Sequence, residues 1–203
     1  MNSSAEPNLR NPKYYLNREL SLLEFNRRVL AQARDTDTPL LERLFYLCIA
    51  SANMDEFFEI RVAGLKQQVE YGTSQRGPDG LSPSEQLSKI SKTAHHLVAE
   101  QYAVLNEQIL PALMHAGIHI PLSVDWNQKQ KDWIKNYFNR ELLPILSPVG
   151  LDPAHPFPQV LNKSLNFIVT LEGKDAFGRN SAVAIVQAPR ALPRLIQLPV
   201  SCA

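Results

Sequence analysis

The sequence predicts an α+β protein: an amino-terminal all-α helical bundle containing a long helical hairpin, followed by an incomplete α/β region with an antiparallel sheet. Three observations carry this expectation. Apolar residues recur at helical spacing from Leu22 to Val104. Prolines then crowd the stretch from Pro144 to Pro158, where regular helix is impossible. Beyond it, Leu165, Phe167, Val169 and Leu171 alternate along one β-favouring run, and Val183 to Val186 form a second after the turn-rich Gly173 to Asn180.

The elements follow in order. Residues 1–15 are polar and proline-bearing and read as a flexible arm. Ser21 and Glu24 form a capping box, which opens a first helix with Leu22, Phe25, Val29 and Ala33 on its apolar face, closed by Asp35-Thr36-Asp37. Thr38 and Pro39 read as N-cap and N1 of a second helix. Its apolar set, Leu40, Leu41, Leu44, Phe45, Leu47 and Cys48, is wide enough to require cover on more than one side. Small and polar residues interrupt this run at Ser51 to Asn53, and carboxylates follow at once. A new helix start is therefore expected at Asn53, with Glu56 completing a capping box and free N–H groups turned outward. That helix stops at Tyr71-Gly72, and Gly72 to Gly80 reads as a disordered hairpin tip.

Ser82-Pro83-Ser84-Glu85 restarts a long helix with Leu87, Ile90, Ala94, Leu97, Gln101 and Val104 in one stripe. Pro111 kinks or ends it, and Gly117 permits a turn. The composition changes near Ile120, so the helical domain is drawn as residues 16–118 and the second region as 119–203. Asp125 is the expected cap of a helix carrying Trp126, Trp133, Tyr137 and Phe138. Leu195 to Leu198 is the expected third strand. The edge left open there reads as a truncated fragment.

Composition narrows the function classes. Lysine plus arginine number 21 against 20 acids, a net charge of +1, which supplies no field for nucleic acid or anionic lipid. The two cysteines, Cys48 and Cys202, suggest neither a metal site nor a disulfide framework and favour a reducing compartment. Neither a signal peptide nor an apolar run long enough for a transmembrane segment is visible, and the expected location is cytoplasmic.

Several motifs in one order carry a resemblance. Asn17-Arg18-Glu19-Leu20-Ser21-Leu22-Leu23-Glu24-Phe25-Asn26, Pro39-Leu40-Leu41-Glu42-Arg43, Asn53-Met54-Asp55-Glu56-Phe57-Phe58 and Arg61-Val62-Ala63-Gly64-Leu65 resemble the amino-terminal domain of the bacterial polyphosphate kinases. Leu142 to Pro148 and Asp152 to Pro158 continue the likeness into the family's head domain, of which residues 119–203 would be a partial copy. The resemblance implies an ATP contact at Asn53. It also implies a parent enzyme that reversibly transfers the terminal phosphate of ATP to polyphosphate through a phosphohistidine, with Mg²⁺ accompanying ATP and with a homo-oligomeric assembly. The family's phosphate-accepting histidine belongs to a later domain, so no catalytic residue is expected in this chain.

The remaining chemistry-bearing residues have plainer readings. Asp55, Glu56 and Glu59 lie within about one and a quarter turns, where acids offset a helix dipole but also suit a nucleotide's Mg²⁺. Arg61 can pair with a carboxylate or hold a phosphate. His95 and His96 are adjacent and point about 100° apart on a helix, which removes a shared metal. His115, His119 and His155 read as surface or packing residues. Phosphate-binding glycine loops and nucleophile elbows are missing. The fragment is expected to bind ATP weakly and to catalyse nothing. The alternative is a non-catalytic helical protein-interaction or dimerisation module, marked by an uncovered apolar surface around Leu40 to Cys48 or Trp126 to Tyr137.

Overall fold

In a computed structural model, which describes residues 8–151, 156–173 and 183–202, the first helix starts at Asn17 rather than at Ser21. Asn17 Oδ1 accepts the Leu20 N–H at 2.9 Å, while its Nδ2 donates to Asp79 at 2.7 Å and to Gln86 at 3.1 Å. An amide that caps with its oxygen and binds elsewhere with its nitrogen is held more firmly than a serine hydroxyl, and the helix gains a turn. α1 runs Arg18–Arg34 and buries Leu23, Asn26, Leu30 and Ala33. The expected face holds at Ala33 and in part at Val29, but in the first turns it is off by one residue, because the inward positions there are Leu23 and the polar Asn26. Leu22 and Phe25 are exposed instead.

α2 spans Leu40–Glu56, with Pro39 as its cap residue and no bond from a Thr38 side chain. A six-residue π-helical turn, Phe57–Val62, joins it to α3, Ala63–Glu70. Gly72 at φ +70° then ends the rod. Thr73 N donates to Gln68 O at 2.8 Å and Gly72 N to Val69 O at 3.0 Å, the paired bonds by which a left-handed glycine satisfies orphan carbonyls. The hairpin tip is not disordered. Arg76 donates to Gly80 O at 2.6 Å and to Glu85 at 2.7 Å, and Asp79 holds Asn17, so the loop is tied to the first turn of α4 and to the cap of α1.

α4, Pro83–Val104, has the capping box in both directions, Glu85 N to Ser82 Oγ at 3.3 Å and Ser82 N to Glu85 Oε2 at 2.8 Å. It buries Ile90, Ala94, Leu97 and Val104 against α1 and α3. Pro111 does not stop the rod. A second π-helical turn, Leu105–Ile109, leads into α5, Leu110–His115, where the proline sits in the first turn and needs no N–H. Among the described residues, Asn26 and Arg43 are the buried polar side chains, set in a core built from Leu23, Leu30, Leu47, Met54, Phe57 and Ile90 with their neighbours. The predicted full cover of α2 is absent: Leu41 and Phe45 are 61% and 60% exposed, and Cys48 is exposed as well. The stripe of Arg43, Leu47, Ala50 and Met54 is buried, and Leu40, Leu44 and Tyr46 pack partly buried against the core.

Contacts divide the chain into two units, Met1–Ile120 and Pro121–Ala203. In the second, Asn127 caps α6, Gln128–Tyr137, in a box with Gln130, and Asp125 lies in the short 3₁₀ turn before it. Trp126 stands outside the helix and donates from Nε1 to Pro121 O. Asn wins the cap because Gln130, three residues on, returns the bond to its backbone N–H. The sheet has order β1-β3-β2, with β1 Pro148–Gly150, β2 Asn166–Thr170 and β3 Val183–Gln187, all antiparallel. The expected hairpin of β2 and β3 is present, with Ile168 opposite Ile185. Its third member comes from the proline-rich stretch and not from Leu195 to Leu198, which form no strand. Pro148 is tolerated at the first position of an edge strand. His155 and, beyond Gly173, the segment expected to turn between Gly173 and Asn180 lie outside the described residues.

Candidate functional site

The helix does not break at Asn53. Residues Ser51 to Asn53 continue α2, and the Phe57 N–H donates to the carbonyls of Asn53 and Met54. The capping role of Asn53, its box with Glu56 and the outward-facing bare helix start are therefore corrected. A side-chain amide weakens a helix when it folds back on its own backbone, and here it does not. Asn53 Nδ2 donates across to Asn26 Oδ1 on α1 at 3.2 Å. The irregularity announced by this stretch falls one turn later, as the π-helical segment Phe57–Val62. Turns of this kind re-aim the side chains that follow and recur at functional sites.

That junction borders an open depression of about 270 Å³. Leu22, Leu23 and Phe25 of α1, Asn53 and Glu56 of α2, and Phe57, Ile60 and Arg61 of the π-helical turn line it. Leu23 and Phe57 are buried, whereas Leu22, Phe25 and Ile60 are exposed apolar groups. Asn53 and Arg61 are half-buried and Glu56 is exposed. A second cation stands beside them: the Arg28 guanidinium lies 5.6 Å from the Phe25 ring centroid. Small-ligand pockets run to roughly 300–1,000 Å³, so a depression of this size suits a base or sugar rather than a whole nucleoside triphosphate.

The neighbouring carboxylates Asp55 and Glu59 are exposed and engaged in further interactions of their own. Among the described residues no three His, Cys, Asp or Glu side chains cluster as a metal site would require. The histidines are likewise dispersed. His95 Nδ1 meets Ser91 O at 2.7 Å, His115 Nδ1 meets Pro111 O at 2.7 Å, and His96 pairs with Glu100 at 3.0 Å. The exposed apolar residues Leu22, Phe25 and Ile60 in the wall, and Asn26 behind it as the partner of Asn53, are what sequence reasoning passed over. Asn26 closes the run Leu22-Leu23-Glu24-Phe25-Asn26 only as one residue among others, and no spacing marks it as the partner of Asn53.

Comparison with known proteins adds three findings. Residues 15–121 match the family model of the polyphosphate kinase N-terminal domain, and residues 129–203 match that of the polyphosphate kinase middle domain. Polyphosphate kinases of Burkholderia cenocepacia (strain HI2424) and Paraburkholderia phytofirmans (strain DSM 17436 / LMG 22146 / PsJN) are each 55% identical to this chain over 184 residues, covering 91% of it and 27% of their own length. The crystal structure of polyphosphate kinase from Porphyromonas gingivalis superposes with a TM-score of 0.69 at 27% identity, covering 91% of this chain and 26% of that one. The chain thus spans about a quarter of the length of the relatives it matches. No helix among the described residues is long and apolar enough to cross a membrane.

Proposed function

This chain belongs to the polyphosphate kinase family, and we propose that it supplies the ATP-contacting helical domain of an enzyme that reversibly transfers the terminal phosphate of ATP to inorganic polyphosphate through a phosphohistidine. The phosphate acceptor lies in another part of the parent enzyme, and none of the histidines described above inherits that role. Mg²⁺ arrives with the nucleotide, as the counter-charge of its phosphates. The enzyme acts in the cytoplasm as a homo-oligomer, on ATP and polyphosphate and not on nucleic acid.

One observation carries the reading: Asn53, the residue to which the family resemblance assigns nucleotide contact, sits half-buried on the wall of the depression between α1 and the π-helical turn. The apolar residues there suit the face of a base, and Arg61 with Arg28 gives phosphates a cation to approach. Phosphoryl transfer depends on positioning and charge neutralisation, so holding the nucleoside alone affects the rate. Titration of the purified chain with Mg-ATP tests the reading. A saturable affinity that falls roughly tenfold in Asn53→Ala, the scale of one well-placed hydrogen bond, supports it, and unchanged affinity in that variant rejects it.

A second reading is favoured by Leu41 and Phe45, exposed one helical turn apart on α2. A non-catalytic helical interaction or dimerisation module would bury them. Strong self-association of the chain together with no Mg-ATP binding selects this reading over the first.

A further inference from the structure

Asn26 occupies a position that the pattern of its own helix reserves for an apolar side chain. The buried residues of α1 are Leu23, Asn26, Leu30 and Ala33, and Asn26 is 4% exposed. Burying an amide among them costs free energy that only its hydrogen bonds return. Those bonds lead to two residues one turn apart on α2. Asn26 Nδ2 donates to the Ala50 carbonyl at 2.9 Å, and Asn26 Oδ1 accepts from Asn53 Nδ2 at 3.2 Å. A backbone carbonyl accepts and never donates, so the first bond fixes which end of the Asn26 amide faces Asn53. The Ala50 carbonyl lies in the interior of α2, where the N–H four residues on already satisfies it, so the helix does not need Asn26. Asn53 is the group whose orientation depends on it. With one N–H held from inside, the Asn53 side chain keeps one rotamer, and its carbonyl oxygen and second N–H are not used by Asn26.

We propose that Asn26 is a positioning residue for nucleotide binding, which acts on ATP only by holding the Asn53 side chain in one orientation. The inference rests on the reading of Asn53 as a nucleotide contact, and it adds a residue that is buried and does not line the depression. A side chain that rotates in the empty protein must be immobilised when ligand arrives, which weakens affinity roughly two- to tenfold. The bond from Asn26 sets that order in advance. A polar residue kept in a core stripe for this purpose breaks the local pattern of its helix at the place where function requires it.

Calorimetric titration with Mg-ATP of the whole chain, Asn26→Leu, Asn53→Ala and the double variant tests the inference as a thermodynamic cycle. Asn26→Leu should weaken ATP roughly two- to tenfold when Asn53 is present. In the Asn53→Ala background the same substitution should leave the affinity where it was, because the side chain that Asn26 holds is gone. A merely structural role would weaken both backgrounds by the same factor. Leucine branches at the same atom as asparagine but is larger, so Asn26→Ala runs beside it, and far-UV circular dichroism identifies the variant that is folded at the temperature of titration. Unfolding of both shows that the amide holds the helices together and overturns the inference. Equal loss in both backgrounds, or no loss in either, overturns it while Asn53-dependent binding stands. Unchanged affinity in Asn53→Ala, or no binding of Mg-ATP, overturns the nucleotide reading and the inference together.

Discussion

Replacing Arg43 by methionine should destabilise the helical unit by about 2 kcal/mol. Arg43 is 8% exposed, and its Nε donates at 2.9 Å to the carbonyl of Ala33, in the last turn of α1. That carbonyl belongs to the four that no helix can satisfy from within, and the cation also meets the negative end of the helix dipole. A hydrogen bond to a charged group contributes about 1.5–3 kcal/mol and the dipole about 0.3–1 kcal/mol. Nη2 adds a longer bond of 3.3 Å to Gln108 in the second π-helical turn. Methionine retains most of the stem's packing, and release from burying a charge offsets part of the loss, which leaves the net figure of about 2 kcal/mol. For a unit of this size the midpoint of thermal unfolding should fall by roughly 6–10 °C. Urea unfolding followed by far-UV circular dichroism reads the change, with an unchanged m-value showing that the unfolded state is not responsible. A midpoint equal to or above that of the unaltered chain would show that desolvation of the guanidinium outweighs its bonds, and the proposed clamp between α1 and α2 would be wrong.

Further outcomes follow from the caps and the surface. The Glu85 carboxyl is held at about 2, below the ordinary value of 4.5, by hydrogen bonds from Ser82 and then by Arg76. A depressed native value stabilises the folded state above the unfolded pKa and loses that contribution as pH falls from about 4.5 toward 2, so acid unfolding of Arg76→Ala should show a weaker pH dependence across that window. Asn17→Ala removes both the α1 cap and the amide bonds to Asp79 and Gln86, and should cost about 1–2 kcal/mol in urea titration. Retention of full stability would assign the cap to Ser21 after all. The double substitution Leu41→Ser with Phe45→Ser should leave the unfolding midpoint within about 0.5 kcal/mol, because both side chains are already in water. It should also lower any self-association seen by sedimentation, and an unchanged sedimentation profile removes this face from the interaction reading.

The fold class and the motif-level likeness were legible because long helices repeat their signal and the ordered motifs are many. The capping box of α4 could be read directly, since Ser82, Pro83 and Glu85 act on backbone atoms within one turn. What could not be read depends on partners distant in sequence. Asn17 outcompetes Ser21 through Asp79 and Gln86, which lie 62 and 69 residues away. Asn53 looked like a helix start because its local chemistry is that of a cap, and only Asn26, 27 residues earlier, turns its amide aside. β1 was hidden because its first residue is Pro148, which local propensity excludes from a strand and an edge position permits. The site followed the same pattern: Asn53 stood out by motif, whereas Asn26, Phe25 and Ile60 join it only through packing of α1 against α2 and the π-helical turn.

Side-chain amide NMR of Asn53 during a Mg-ATP titration tests the central claim most directly. The signal pair, assigned by its loss in Asn53→Ala, should shift saturably with nucleotide, together with the backbone amides of Phe57, Ile60 and Arg61. An Asn53 pair that stays in place while resonances elsewhere move with ATP would remove the nucleotide from this depression.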